Sequence, residues 1–201
     1  NHKKVTYKCP ELEPILKVTY GCIVYQEQVI EIFKQEKVIL TGLQHGTVTV
    51  LLGGMPVEIT TYRIDGEYED NRRPKEVFFT SSLQEDLSRR DFTINALAYH
   101  PAEGVIDYFD GMGDLKRGII RCVGDAASRY QEDGLRIMRA IRFAARLGFE
   151  IEEKTYCAIK KNRNLLKNIS AERIQAELVK MLETTDNLRL LFDSGVAEIV
   201  I

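Results

Sequence analysis

The chain has 201 residues, 44% of them hydrophobic, which suffices for one large globular domain or two small ones. Its formal net charge of -2 excludes a basic coat over the whole surface, so any contact with nucleic acid must come from a local basic region. No apolar run of about 18 residues predicts a membrane span, and four cysteines without a C-x-x-C pair indicate reduced thiols in a cytoplasmic protein.

The first half of the chain mixes helical and strand patterns. Apolar residues at helical spacing predict an amphipathic helix over 27–37. Apolar and polar residues alternate on both sides of Gly53 and Gly54, which predicts a β-hairpin with these glycines at its tip. The other predictions for this half are short strands at 20–25, 38–40 and 77–79, a charged loop over 63–74, a helix over 83–99 and a glycine-rich connector over 107–115.

The second half is helical throughout, with predicted helices over 129–147, 152–162, 171–183 and 187–201. A mixed half before a helical half predicts an α+β fold, with a mixed β-sheet domain over residues 1–120 and an all-helical domain over 121–201. Because the chain opens without a methionine and stops inside an apolar run, we expect it to be a fragment.

The first motif with chemical potential is S-R-R-D-F-T-I-N-A-L-A-Y, at residues 88–99. Two arginines beside Asp91 can grip phosphate oxygens, while the carboxylate accepts hydrogen bonds from sugar hydroxyls. These are the requirements for binding a nucleoside triphosphate. In an isolated R-R-D, the more common alternative is a solvated helix start at which the aspartate caps the helix.

The second motif is the predicted helix around residues 130–149, which carries an arginine stripe apart from its apolar face. No acid follows the arginines at i+4, so we expect them to lack partners within the helix and to present their charge to an anionic ligand. Asp133 and Arg136 could also offer an acceptor and a donor to the edge of a base, although Glu132 and Asp133 could equally cap the helix. The stripe contains Arg136, Arg139, Arg142 and Arg146.

Five segments occur in a characteristic order: R-R-D-F-T-I-N-A-L-A-Y, D-Y-F-D-G-M-G-D-L, E-D-G-L-R-x-x-R-A-x-R-F, L-G-F-x-I and I-S-A-E-R-I-Q-A-E-L. Over residues 29–201 the chain therefore resembles class II tRNA nucleotidyltransferases, the CCA-adding enzymes, and the related bacterial poly(A) polymerases. The resemblance identifies the mixed domain as a catalytic head and the helical domain as a neck. It also implies that the aspartates of D-Y-F-D-G-M-G-D-L belong to the connector between them, and that Arg173 supports the neck.

The same resemblance implies the roles of individual residues. Arg90, Asp91 and Asn95 would hold the sugar and triphosphate of the incoming nucleotide. Glu132, Asp133 and Arg136 would select CTP or ATP through the edge of the base, and Arg139 and Arg142 would lie against the phosphates. This interpretation requires the groups to face one cleft. The assignment as an enzyme would fail if they lay on opposite surfaces or if each were locked in its own internal ion pair.

One part of the family pattern is missing. The G-G-x-V-R-D turn and the D-x-D aspartates that hold Mg²⁺ have no counterpart, and residues 21–25 are the nearest remnant of the turn. Glu58 occupies what looks like the third carboxylate position, which makes it the single candidate for a catalytic and metal-binding residue. One glutamate is a poor site for Mg²⁺, which needs near-octahedral oxygen ligation. We therefore expect the chain as written to bind nucleotide weakly and to catalyse little or nothing.

The reaction that the resemblance implies is the Mg²⁺-dependent addition of CMP and AMP, from CTP and ATP, to the 3′ end of tRNA with release of pyrophosphate. Two alternatives stay open. A poly(A) polymerase of the same family would extend a generic RNA with ATP alone. A non-catalytic nucleotide- or RNA-binding module would bind nucleotide without magnesium-dependent turnover. The sequence predicts no oligomeric state.

Overall fold

The computed structural model describes residues 9–19, 26–42, 46–66, 68–69 and 73–201. The chain divides into two compact units. The smaller contains Asn1–Arg63 and Phe79–Ser81, and the larger contains Ile64–Phe78 and Ser82–Ile201. The strand remnant predicted at 20–25 lies outside the described residues. None of the described helices is long and apolar enough to cross a membrane.

The small unit contains a three-stranded antiparallel sheet with strand order β1-β2-β3. The predicted hairpin is confirmed, because β2 and β3 pair around Gly53 and Gly54, whose φ angles of 56° and 85° suit a two-residue hairpin turn. Val48 and Val50 of β2 are buried against Val29 of the preceding helix. The elements are α1 (Glu13–Leu16), α2 (Gln26–Ile32), β1 (Lys37–Gly42), β2 (Thr47–Leu52) and β3 (Met55–Thr60).

The large unit begins with short strands, and the boundary between the units runs through β4 and β7. The segment 63–74, predicted as a loop, contains β5 and β6, which pair antiparallel. Strand β7 confirms the strand predicted at 77–79. The elements up to the neck are β4 (Arg63–Asp65), β5 (Tyr68–Glu69), β6 (Arg73–Pro74), β7 (Val77–Phe79), α3 (Leu83–Ser88), β8 (Leu97–His100), β9 (Gly104–Asp107), α4 (Gly111–Arg117) and β10 (Ile119–Ile120).

The helix predicted over 83–99 is wrong in its second half. Helix α3 ends at Ser88, and the chain then passes through a 3₁₀ turn into β8, which pairs with β9. The backbone of residues 91–93 hydrogen-bonds to a distant segment of the chain: the Thr93 amide donates to the Arg121 carbonyl, and the Asp91 carbonyl accepts from the Val123 amide. A continuous helix would need these groups for its own i to i−4 bonds.

The remaining elements are α5 (Ala126–Glu132), α6 (Leu135–Leu147), β11 (Glu150–Ile151), α7 (Glu153–Asn162), α8 (Ala171–Leu182), α9 (Arg189–Asp193) and α10 (Ala197–Val200). The helix predicted over 129–147 is broken at Asp133, whose backbone is extended (φ −141°, ψ 105°). The last predicted helix is divided at Gly195, which has a φ of 71°. Apolar residues of α5 to α10 share one core with Phe92 and Ile120. The α+β fold is confirmed, because small antiparallel sheets dominate the first half of the chain and helices dominate the second.

Candidate functional site

A cleft of about 560 Å³ lies in the large unit, and we call it the α3–α6 cleft. Five arginines and two aspartates line it, so its walls carry an excess of positive charge. Six of the predicted site residues are brought together here from two separate segments of sequence. The lining residues are Arg89, Arg90, Asp91, Asn95, Asp133, Leu135, Arg136, Arg139, Phe143 and Arg173.

Asp91 organises one wall of the cleft. Its side chain is buried, with Oδ1 accepting from the Phe92 amide (2.9 Å) and from Asn95 Nδ2 (3.0 Å). Its Oδ2 accepts from Arg139, at 2.8 Å from Nε and 2.6 Å from Nη2. The alternative of a helix cap does not apply, because Ser82 caps α3 and Asp91 follows the helix. Asp91 therefore holds Asn95 and Arg139 in fixed positions.

The two arginines of R-R-D differ in how firmly they are held. Asp86 is buried, and its Oδ1 accepts from Arg89 Nε (3.0 Å) and Nη2 (2.7 Å). Arg90 Nη2 lies 3.6 Å from Asp86 Oδ2, and the Arg90 side chain is 45% exposed. Because the contact is long and the Arg90 side chain is open to solvent, it holds Arg90 only weakly, although Asp86 itself is buried. Arg90 is thus available to an anionic ligand, whereas Arg89 is anchored.

The break between α5 and α6 supplies the other wall. Asp133 Oδ1 accepts from the Leu135 amide (3.0 Å), and its Oδ2 accepts from Arg173 Nη2 (3.1 Å). Arg136 Nη1 donates to Glu132 Oε2 at 2.5 Å. Burial acts to lower the pKa of Arg136, but Tyr68 and Glu132 outweigh it, and the pKa is raised. The guanidinium stays charged while it is largely enclosed.

The expectation of an unpaired arginine stripe needs correction, because Arg136, Arg139 and Arg142 pair with Glu132, Asp91 and Glu177. Forward spacing along the helix could not reveal these partners, since each precedes α6 or lies on another helix. Internal ion pairs that lock each arginine were expected to overturn the assignment as an enzyme. The ion pairs of Arg136 and Arg139 lie at the cleft wall, where they orient the two guanidinium groups. The cleft stays cationic, because its lining contains five arginines and two aspartates.

Arg142 lies away from the cleft lining. Its side chain is 8% exposed, and its Nε donates to Glu177 Oε2 at 2.6 Å. The guanidinium also stacks over the Phe143 ring, 4.2 Å from the centroid. The position expected to meet phosphates therefore joins α6 to α8 instead, because this turn of the helix faces the core.

Glu58 lies in the small unit, on β3. Strand register places Glu58 opposite Thr49 and Thr60 opposite Thr47, so Glu58 and Thr60 share a face as alternation predicted. Its side chain is exposed. Within the described residues, no group of three or more His, Cys, Asp or Glu side chains could hold a metal ion. Glu58 and its described neighbours therefore do not fit a magnesium site.

The aspartates of the connector serve the fold. Asp107 accepts from the amides of Phe109, Gly111 and Met112, and although burial acts to raise its pKa, these bonds lower it. Asp114 is fully buried, and for it too burial is outweighed, by bonds from Arg117, Thr93 and Arg121 that lower the pKa. Asp110 pairs with Arg117 at 2.7 Å.

Sequence reasoning missed several members of the cleft. Leu135 and Phe143 were assigned to no site, and Arg89 was not singled out within R-R-D. Arg173, expected to be structural, both pairs with Asp133 and lines the cleft, which its separation of 40 positions concealed. Ser170 occupies the N-cap position of α8, but its side chain makes no capping hydrogen bond.

Two family models match the chain. One is described as the poly A polymerase head domain and matches residues 23–121. The other is described as a probable RNA- and SrmB-binding site of polymerase A and matches residues 148–201. Together they cover parts of both the mixed and the helical half of the chain.

Curated relatives are CCA-adding enzymes. That of Lactobacillus delbrueckii subsp. bulgaricus is 52% identical over 180 residues, covering 90% of this chain and 45% of the enzyme. That of Lactobacillus helveticus is 56% identical over 157 residues, covering 78% of this chain and 39% of the enzyme. The chain thus spans less than half the length of these relatives.

Solved structures of CCA-adding enzymes are similar as well. The Bacillus stearothermophilus enzyme in complex with CTP matches with a TM-score of 0.76 and 43% identity, over 85% of this chain and 41% of that chain. The Thermotoga maritima enzyme complexed with tRNA matches with a TM-score of 0.67 and 30% identity, over 86% of this chain and 39% of that chain. In both cases the similarity extends over most of the chain.

Proposed function

The chain belongs to the family of class II tRNA nucleotidyltransferases, or CCA-adding enzymes, and bacterial poly(A) polymerases, and we propose that it binds CTP and ATP in the α3–α6 cleft. We further propose that it represents the head and neck of an enzyme that adds CMP and AMP to the 3′ end of tRNA and releases pyrophosphate. The observation that carries this proposal is the meeting of the R-R-D segment and the start of α6 in one cationic cleft.

The contacts of the cleft residues support a separate role for each group of them, toward the triphosphate, the sugar or the base. Arg90 is the most available cation, and Arg139 has its guanidinium fixed by Asp91, so these two suit the triphosphate. Asp91 and Asn95 offer oxygen and amide groups to the sugar. Asp133 and Arg136 offer an acceptor and donors to the edge of the base, with Glu132 behind Arg136 as its counter-charge.

We keep the proposed organisation of a head over residues 1–120 and a neck over 121–201. The match to a head-domain model at 23–121 supports the first, and the match to an RNA-binding model at 148–201 supports a partner role for tRNA near the second. The complex of the Thermotoga maritima relative with tRNA gives the same support. Free thiols at Cys9, Cys122 and Cys157 support a reducing, cytoplasmic location.

Catalysis is a separate matter from binding. Nucleotidyl transfer in this family generally needs a divalent cation, which neutralises developing charge and activates the attacking hydroxyl. Mg²⁺ is the cation that we propose for the full reaction. Because Glu58 belongs to no group of three or more metal-ligating side chains among the described residues, we propose that this chain binds nucleotide and transfers little or none of it.

A poly(A)-adding activity is the second candidate, favoured by the description of the head-domain model. Separate incubations of the chain with a tRNA that lacks its 3′ end and with a generic RNA, each with CTP, ATP and Mg²⁺, followed by sizing of the product, test for CCA addition and for poly(A) addition. Calorimetric titration with CTP and ATP is run beside them. We expect binding of both nucleotides with little or no extension. Extension of a generic RNA by ATP alone would favour the second candidate, and absence of nucleotide binding would refute the proposal.

A further inference from the structure

Arg129 joins two parts of the site without lining the cleft. It lies on α5, where its Nη1 donates to the Ser88 carbonyl (3.1 Å) and its Nη2 contacts Glu132 Oε1 (2.6 Å). The Ser88 carbonyl is at the C-terminal end of α3, where helical carbonyls have no partner within the helix and carry partial negative charge. One guanidinium therefore ties the end of α5 to the end of α3.

Arg136 makes a second link to the same helix end. Its Nη2 donates to the Arg89 carbonyl at 3.0 Å, and its Nη1 donates to the Arg129 carbonyl (3.2 Å) and to Glu132 Oε2 (2.5 Å). These bonds occupy both hydrogens on Nη1 and one on Nη2. With respect to the part of the chain that the structure describes, the Nε hydrogen and the second Nη2 hydrogen of Arg136 remain for a ligand.

Glu132 is the shared element of the two links. Its Oε1 faces Arg129, and its Oε2 faces Arg136. The rotamer of Glu132 is thus fixed from the Arg129 side, and the orientation of the Arg136 guanidinium is fixed from the Glu132 side. Without the Arg129 side chain, Glu132 Oε1 loses its partner, and the carboxylate that orients Arg136 Nη1 is held less firmly. The backbone carbonyls of Arg89 and Arg129 still hold Arg136 in place, so we expect a loosened donor geometry and not a displaced side chain.

We propose that Arg129 is a positioning residue for base selection, acting through Glu132 on Arg136. This inference rests on the proposed function, since it assumes that Arg136 meets the base. Discrimination between bases depends on donors held in one geometry, because a donor that can rotate adapts to the edge of a wrong base. Phosphate binding has no such requirement and depends on charge at Arg90 and Arg139.

The test compares affinities by calorimetric titration of the whole chain with CTP, UTP and inorganic tripolyphosphate. In Arg129→Met we expect the CTP-to-UTP affinity ratio to fall about tenfold, which corresponds to about 1.4 kcal/mol, with tripolyphosphate affinity unchanged. In Arg129→Lys the charge facing Glu132 remains, but the guanidinium that contacts two acceptors is lost. The CTP-to-UTP affinity ratio should therefore lie between those of the parental chain and of Arg129→Met. Arg189→Met, which removes an exposed arginine paired with Asp193 at 3.1 Å, is the control and should leave the ratio unchanged.

Each remaining outcome overturns the inference. A parental ratio retained in Arg129→Met removes the role, while the proposed function stands. Equal losses of CTP, UTP and tripolyphosphate affinity would mean that Arg129 only supports the fold. If Arg129→Met does not fold, Arg129→Lys decides, and a full parental ratio in that variant overturns the inference. A parental chain that binds CTP and UTP equally would contradict the proposed function itself.

Discussion

The α3–α6 cleft and the β2–β3 hairpin both carry charged residues expected to act on a nucleotide, yet they are built differently. In the cleft, Asp91 is 8% exposed and engages Arg139, Asn95 and a backbone amide. On the hairpin, Glu58 is exposed and makes no ion pair with any residue that the structure describes. A charged side chain becomes part of a site through the neighbours that hold it, and the described residues supply such neighbours to Asp91 but not to Glu58.

The largest expected effect lies where α6 turns from the cleft to the core. Arg142→Met leaves the buried Glu177 with only the exposed Lys180, 3.4 Å away, as a cationic partner among the described residues, so we expect a loss of about 3 kcal/mol in the free energy of unfolding. Urea denaturation measures it. Arg189→Met, which breaks an exposed pair, should cost about 0.5 kcal/mol or less. Equal losses in the two variants would show that the Arg142 pair is not buried in solution.

Asp91→Asn tests whether the contacts of Asp91 hold the cleft in a form that binds CTP. The amide is a weaker acceptor for Arg139, for Asn95 and for the sugar hydroxyls, and a charge-assisted hydrogen bond contributes about 1.5–3 kcal/mol. CTP affinity should therefore fall by at least about tenfold, although the cleft becomes more positive. Calorimetric titration measures the affinity, and circular dichroism checks the fold. Asp193→Asn, at an exposed ion pair, is the matched control. An unchanged CTP affinity in Asp91→Asn would contradict the assigned role.

Low pH tests the buried and hydrogen-bonded carboxylates of the connector, which serve the fold outside the cleft lining. The pKa values of Asp107 and Asp114 are lowered in the folded protein, so both stabilise it above the unfolded-state value of about 3.9. That contribution is lost as pH falls through the folded pKa values. We expect the free energy of unfolding to drop below about pH 4. The free energy of unfolding should fall less steeply with decreasing pH in Asp114→Asn. An identical pH dependence in the variant and the parental chain would show that Asp114 does not contribute to the loss of stability.

The smallest effect is expected on the hairpin. Glu58→Gln removes an exposed carboxylate, and surface substitutions of this kind change stability by about 0.5 kcal/mol or less. CTP affinity in the absence of metal should also stay the same. A clear loss of CTP affinity would mean that Glu58 contributes to the nucleotide site, which would remove the contrast between the two regions.

Local pattern predicted local structure well. The hairpin at Gly53 and Gly54, the strand at 77–79 and most neck helices follow from alternation, helical period and turn chemistry. The errors occur where distant backbone groups override local preference. The 83–99 helix fails because residues near Asp91 bond to the segment around Arg121 and Val123. No local pattern contains that information.

The sequence predicted several of the residues that line the cleft, but not the hydrogen-bond and ion-pair partners that orient them. Motif order singled out Asp91, Asp133 and Arg136, which the structure brings to one cleft. The partners that orient these residues come from other elements, as Arg173 does for Asp133. Arg142 was assigned to the ligand side because spacing along a helix tells which residues share a face, whereas the identity of the facing element depends on packing.

The most direct test of the central claim is a crystal structure of this chain with bound CTP. The account predicts the triphosphate against Arg90 and Arg139, and the edge of the cytosine against Asp133 and Arg136. CTP bound elsewhere, or bound in the cleft with its base turned away from Arg136, would contradict it.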